Sequence, residues 1–161
     1  MKPVNFIAIF SMMVAFVACG GGAMSPKTFD SAAIEIFKNA NNTLSEFDAK
    51  ITAGVKSNDL PSIATAAESA LATVEKQIEK LQTIQAPENA EAYKESVLKC
   101  LDGVKALIET GRKYGALEEG YTKSEFAALE KEYNKLRTQL SNNLKGVATA
   151  QAEFMKAASS K

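Results

Sequence analysis

Two cysteines, Cys19 and Cys100, are the most reactive side chains in this 161-residue sequence, and their surroundings differ sharply. Cys100 falls between Val97 and Val104 at helical spacing, where a thiol behaves as a small hydrophobe with a raised pKa. The alternative is a reactive thiol or an intermolecular disulfide in an oxidising compartment. Histidine is absent from the whole sequence. That absence excludes Ser-His-Asp and Cys-His nucleophile systems, the Glu-x-x-His signature of di-iron bundles and Cys-x-x-Cys-His haem attachment. An enzyme would have to work through carboxylates or lysine alone, and no cofactor or metal is expected. Glu118 and Glu119 are adjacent, so in a helix they point about 100° apart and make a poor catalytic pair.

The richest binding chemistry lies in the segment 111–121, which holds Gly111, Gly115 and Gly120 together with Arg112, Tyr114, Leu117 and Tyr121. Tyrosine and arginine are the residues that most often dominate binding energy, and glycine permits backbone shapes that other residues resist. Arg112, Tyr114, Leu117 and Tyr121 are therefore the candidate binding residues. A second reading has Tyr114, Leu117 and Tyr121 close the end of a core, as large side chains do at bundle ends.

The elements that would position these residues are all helical. Phe29, Ala33, Ile36, Ala40, Leu44, Phe47, Ile51 and Val55 step by three or four over residues 26–56, and Ser57-Asn58-Asp59 ends that run. Leu60, Ile63, Ala67, Leu71, Val74, Ile78, Leu81 and Ile84 mark a second helix, capped by Asn58 or Asp59 with Pro61 in its first turn. Pro87 suits the first turn of a third helix whose stripe is Ala90, Tyr93, Val97, Cys100 with Leu101, Val104 and Ile108. Thr122-Lys123-Ser124-Glu125 fits a capping box before a long fourth helix, lined by Phe126, Leu129, Tyr133, Leu136, Leu140, Leu144, Val147 and Phe154. The pattern predicts an all-α, antiparallel up-down-up-down four-helix bundle over residues 26–161. On the outer faces, Glu46 with Lys50, Glu95 with Lys99, Glu109 with Lys113 and Glu119 with Lys123 are spaced for i, i+4 pairing.

Charge is balanced, with 19 basic and 19 acidic residues, so there is no basic excess of the kind that binds nucleic acid. At the N-terminus, Lys2 precedes an apolar run over residues 6–18. This run falls short of the ~20 residues that span a bilayer but has the length of a secretory signal. The segment Phe16-Val17-Ala18-Cys19 resembles the lipobox of bacterial lipoprotein precursors, with Phe16 where that family carries an aliphatic residue. The resemblance implies a signal peptide over residues 1–18, a lipid-bearing Cys19 as the first mature residue, and a flexible tether over residues 19–25. With Gly20 after the cysteine, it also implies the outer membrane.

The mature chain as a whole is similar to the small helical envelope lipoproteins of diderm bacteria. That similarity implies a non-enzymatic, membrane-anchored interaction module whose protein partner arrives at the end away from the lipid. The alternatives are an assembly factor that self-associates through helix faces and, less favoured without histidine, a carrier or enzyme using the bundle interior. Replacing Cys19 by Ala is expected to abolish metabolic acyl labelling and release the protein from the membrane fraction. Undiminished labelling would refute lipidation at this residue.

Overall fold

The computed structural model describes residues 24–117 and 120–160. Cys19, the signal segment and the pair Glu118 and Glu119 lie outside the described residues. The chain forms four helices, α1 (Pro26–Ser57), α2 (Leu60–Thr83), α3 (Glu91–Arg112) and α4 (Lys123–Ser159), with a 3-10 turn (Lys113–Ala116) continuing from α3. No strand occurs among the described residues, and no described helix is long and apolar enough to cross a membrane.

Local chemistry sets the ends of these helices. Ser25 caps α1, its hydroxyl accepting from the Thr28 amide at 3.2 Å, with Pro26 as the first helical residue. At the other end Asn58 takes a left-handed conformation (φ 57°), and the Asp59 amide reaches back to the Gly54 carbonyl at 2.8 Å. Asn58 therefore terminates α1 rather than opening α2. Asp59 occupies the cap position of α2 without a side-chain cap bond, and Pro61 falls in the first turn. The Thr122–Glu125 capping box forms in full: the Glu125 amide donates to the Thr122 hydroxyl at 3.2 Å, and the Thr122 amide to the Glu125 carboxylate at 2.7 Å. The Thr122 amide, together with the Thr122 hydroxyl donating at 2.8 Å, holds the Glu125 carboxyl below its ordinary pKa.

Pro87 departs from the sequence expectation. It stands four residues before α3, in a turn closed by the Ala90 amide donating to the Pro87 carbonyl at 3.1 Å, with Asn89 at φ 66°. Asparagine tolerates this left-handed backbone better than most residues, so the chain reverses there and α3 begins only at Glu91. Lys94 on α3 then donates to the Gln82 and Ile84 carbonyls, at 3.0 and 2.7 Å. It thereby satisfies acceptors that the end of α2 leaves open.

The helices alternate in direction and enclose one core. α3 packs on all three others, whereas α1 lies closer to α3 than to α4, so the bundle is not a regular square. At the end where α1 begins, Phe29, Tyr93 and Phe154 pack ring against ring with centroids 5.8–5.9 Å apart. At the opposite end Tyr114 packs on Phe126 and Tyr133. Of the expected i, i+4 charge pairs, none closes among the described residues. The ion pairs that form instead join separate elements: Lys105 with Glu75, Lys113 with Glu132 and Arg137 with Asp48.

Cys100 is fully buried on α3. Burial pushes its thiol up to about 11, with Lys99 opposing weakly. The folded chain thus keeps a proton that the unfolded chain releases above pH ~8.5. The stabilisation is whole below that pH and is lost as pH rises toward 11. Native thiol labelling is expected to be far slower than labelling in denaturant, and Cys100→Ala should flatten the decline in stability above pH ~8.5. Equal labelling rates would show the thiol to be accessible.

Candidate functional site

The segment singled out in the sequence is more ordered than its three glycines suggest. Gly111 and Arg112 belong to α3, residues 113–116 form the 3-10 turn, and α4 begins at Lys123, so among the described residues only 117 and 120–122 of this segment lie outside regular structure. Two of the glycines are there because neighbours press close. A Cβ on Gly111 would stand 2.5 Å from the Phe47 ring, and one on Gly115 would stand 2.6 Å from the Ala64 backbone nitrogen of α2. Gly120 is different in kind, since its φ of 94° is a conformation L-residues resist.

The four candidate binding residues separate in this setting. Arg112 is exposed at the end of α3. Tyr114 is 4% exposed, with its ring in the aromatic closure of the bundle end. Leu117 is half-buried against the core, and Tyr121 stacks on Phe126 with centroids 6.0 Å apart. Tyr114, Leu117 and Tyr121 therefore close the core, and the four residues do not form one exposed surface.

What the fold assembles beside Tyr114 is a cleft between α1 and α4. Its lining is Asp48, Ile51 and Thr52 from α1, Tyr114 from the turn, and Glu130, Tyr133, Asn134 and Arg137 from α4, around about 180 Å³. Asp48 is the organising charge. It accepts a very short hydrogen bond from the Tyr133 hydroxyl and a charge-assisted one from Arg137 at 2.6 Å. The Arg137 guanidinium also lies over the Tyr133 ring, 5.8 Å from its centroid. Burial and the bond to Asp48 drive the Tyr133 hydroxyl far above the ordinary phenol range, so it is a permanent donor. Burial, reinforced by the negative charge of Glu130, pushes Tyr114 up to about 12.

A matching arrangement occurs at the other end of the seam. Asp30 accepts from the Tyr93 hydroxyl at 3.0 Å and from the Gln151 amide at 2.7 Å. Burial and this bond raise the Tyr93 hydroxyl as well. Asp30, Tyr93 and Gln151 do not line the cleft beside Tyr114.

Two larger troughs, of about 360 and 540 Å³, run along the outside of α1 and α2 and share Lys50, Ala66 and Ser69. Their walls are mostly small alanine, serine and threonine side chains, with Glu46, Phe47 and Lys50 in one and Lys50 and Asp59 in the other; Gln77 Oε1, the one buried side-chain atom without a partner among the described residues, lines neither. They are grooves over a close helix crossing. Among the described residues, no three His, Cys, Asp or Glu side chains converge as metal ligands would.

Sequence spacing missed Asp48, Glu130 and Arg137. Each is a charged residue on a helix and looks like any solvated position, and they come together only through the α1–α4 pairing. Comparison with known proteins adds no further guide: no family model, curated protein or solved structure matches this chain.

Gly115→Ala tests the packing of the turn. The added methyl must displace the backbone of α2 rather than a flexible side chain, so a loss of about 1–3 kcal/mol is expected in chemical denaturation. An unchanged midpoint would show that the turn sits loosely on α2.

Proposed function

We propose that this chain is a non-enzymatic interaction module of the bacterial envelope, lipid-anchored through Cys19, that meets a protein partner with the end of the bundle remote from the anchor. The observation that carries this reading is the polarity of the molecule. The tether enters at the start of α1, and the 32 residues of that helix separate it by about 48 Å from the 3-10 turn, at 1.5 Å per residue. At the remote end exposed Arg112 and Lys113 sit beside the polar cleft, while the aromatic rings beneath them are fixed. A rigid floor under charged groups is the arrangement that loses least entropy on binding. The lipobox-like segment and the short glycine tether support anchoring, with Gly20 favouring the outer membrane. Two or more acyl chains give stable attachment where one gives reversible binding.

Photo-crosslinking from single positions in cells tests this reading. A probe replacing Arg112 is expected to give a discrete adduct, whereas one replacing Lys156, near the anchored end, should give none to the same partner. A probe at Ile34, the one large exposed hydrophobic residue of the described surface, is the control for self-association. Adducts of twice the chain mass from Ile34, with none from position 112, would favour assembly through helix faces and refute the remote-end reading.

A further inference from the structure

One member of the α1–α4 cleft is left with incomplete hydrogen bonding. Tyr114 is 4% exposed, and its hydroxyl has no hydrogen-bond partner among the described residues. The hydroxyl lies on the cleft side, where it senses the charge of Glu130, another lining residue. The oxygen itself is not sealed off, since Gln77 Oε1 is the only enclosed side-chain atom without a partner among the described residues; it faces the open cleft, where water or a ligand can complete its hydrogen bonding.

Charge decides which ligand suits the place. Asp48 and Arg137 neutralise each other, and the remaining donor to Asp48 is the Tyr133 hydroxyl. Glu130 forms no ion pair among the described residues, and its neighbours three and four positions away on α4 are Phe126, Ala127, Tyr133 and Asn134, none of them cationic. The cleft therefore carries one uncompensated negative charge. An incoming carboxylate would meet Asp48 and Glu130 against a single arginine already engaged. An incoming ammonium or guanidinium would meet the Glu130 carboxylate and the Tyr114 hydroxyl oxygen, both able to accept. Size narrows the choice again: about 180 Å³ is below the ~300 Å³ at which free small-molecule sites begin, and suits one long side chain.

We infer that the cleft receives a single lysine or arginine side chain from a partner protein, held by the Glu130 carboxylate and the Tyr114 hydroxyl. This rests on the remote-end reading and gives it a chemical specificity. Its neighbourhood already accommodates such a group, since Arg137 of the chain itself packs over the Tyr133 ring.

The test uses the four tyrosines as reporters. The full chain carrying ring-labelled tyrosine is titrated by NMR with Nα-acetyl-lysine methylamide, and separately with butyrate. Saturable shifts are expected at Tyr114 and Tyr133 with the lysine probe alone, while Tyr93, at the other end, stays still. Glu130→Gln should weaken the response about tenfold, the worth of one charge-assisted hydrogen bond. Tyr114→Phe should weaken it too while its ring keeps the melting temperature close to that of the parent. No saturable shift, an equal response to butyrate, or an unchanged response in Glu130→Gln would overturn the inference. Cross-links from position 112 with an inert cleft overturn it and leave the remote-end reading standing. A responsive cleft with no such cross-link overturns that reading, and with it a partner protein as the source of the cation.

Discussion

A helix that packs on three neighbours cannot present a single narrow apolar stripe, and α3 is under that constraint. Its sequence meets the demand with adjacent buried pairs, Cys100 with Leu101 and Leu107 with Ile108, set two turns apart so that each level of the core is served in two directions. Fully burying such side chains contributes roughly 1.5–3 kcal/mol each, so α3 is where most of the cohesion of the bundle concentrates. Where a neighbour needs more room than a side chain leaves, the sequence uses glycine, as at Gly111 under Phe47 and Ile51. The other helices arrange themselves around this one.

The seam between α1 and α4 follows a different logic. Asp30 and Asp48 are eighteen residues apart on α1, five turns at 3.6 residues each, and so lie on one face. Each accepts one bond from a tyrosine hydroxyl and one from a side chain of α4. α4 buries Tyr133, Leu140 and Phe154 and packs chiefly on α3, with little direct packing against α1. A slip of α4 by one turn, about 5.4 Å, would take both partners from Asp48 and Gln151 from Asp30, and hydrogen bonds to charged groups are worth about 1.5–3 kcal/mol each. The two polar bridges thus set register where the apolar contacts are weakest. In doing so they hold the seam apart enough to leave a cleft beside Asp48.

Much of this was legible in one dimension, and the reasons divide cleanly. The helical period of the apolar residues and the Thr122–Glu125 capping box are local signals, and the structure reproduces them. Pro87 misled because proline suits a first helical turn and a preceding reversal equally well, and the deciding feature was Asn89 in a left-handed conformation. Gly111 and Gly115 looked like breaks in a loop because absence of a side chain reads the same way for flexibility and for close packing. Leu107 joins the core because α3 has a second buried flank, which a single stripe does not reveal. The charge pairs fail for a related reason: Lys113 lies within reach of Glu109 by spacing, yet it meets Glu132 of α4 across the bundle.

Tyr114 shows why closing the core and the proposed binding of a partner are not competing roles for this end of the bundle. Its ring belongs to the closure, wedged between Phe126 and Tyr133 above Gly115, whose place against Ala64 fixes the turn. Its hydroxyl, on the far edge of the same ring, opens on the cleft and is kept protonated by burial and by Glu130. A polar atom carried on a side chain that packing has already immobilised needs little further ordering to engage a ligand. The same burial that removes Tyr114 from the exposed surface therefore makes its hydroxyl a well-placed acceptor, and Arg112, on the exposed surface, lacks any such support.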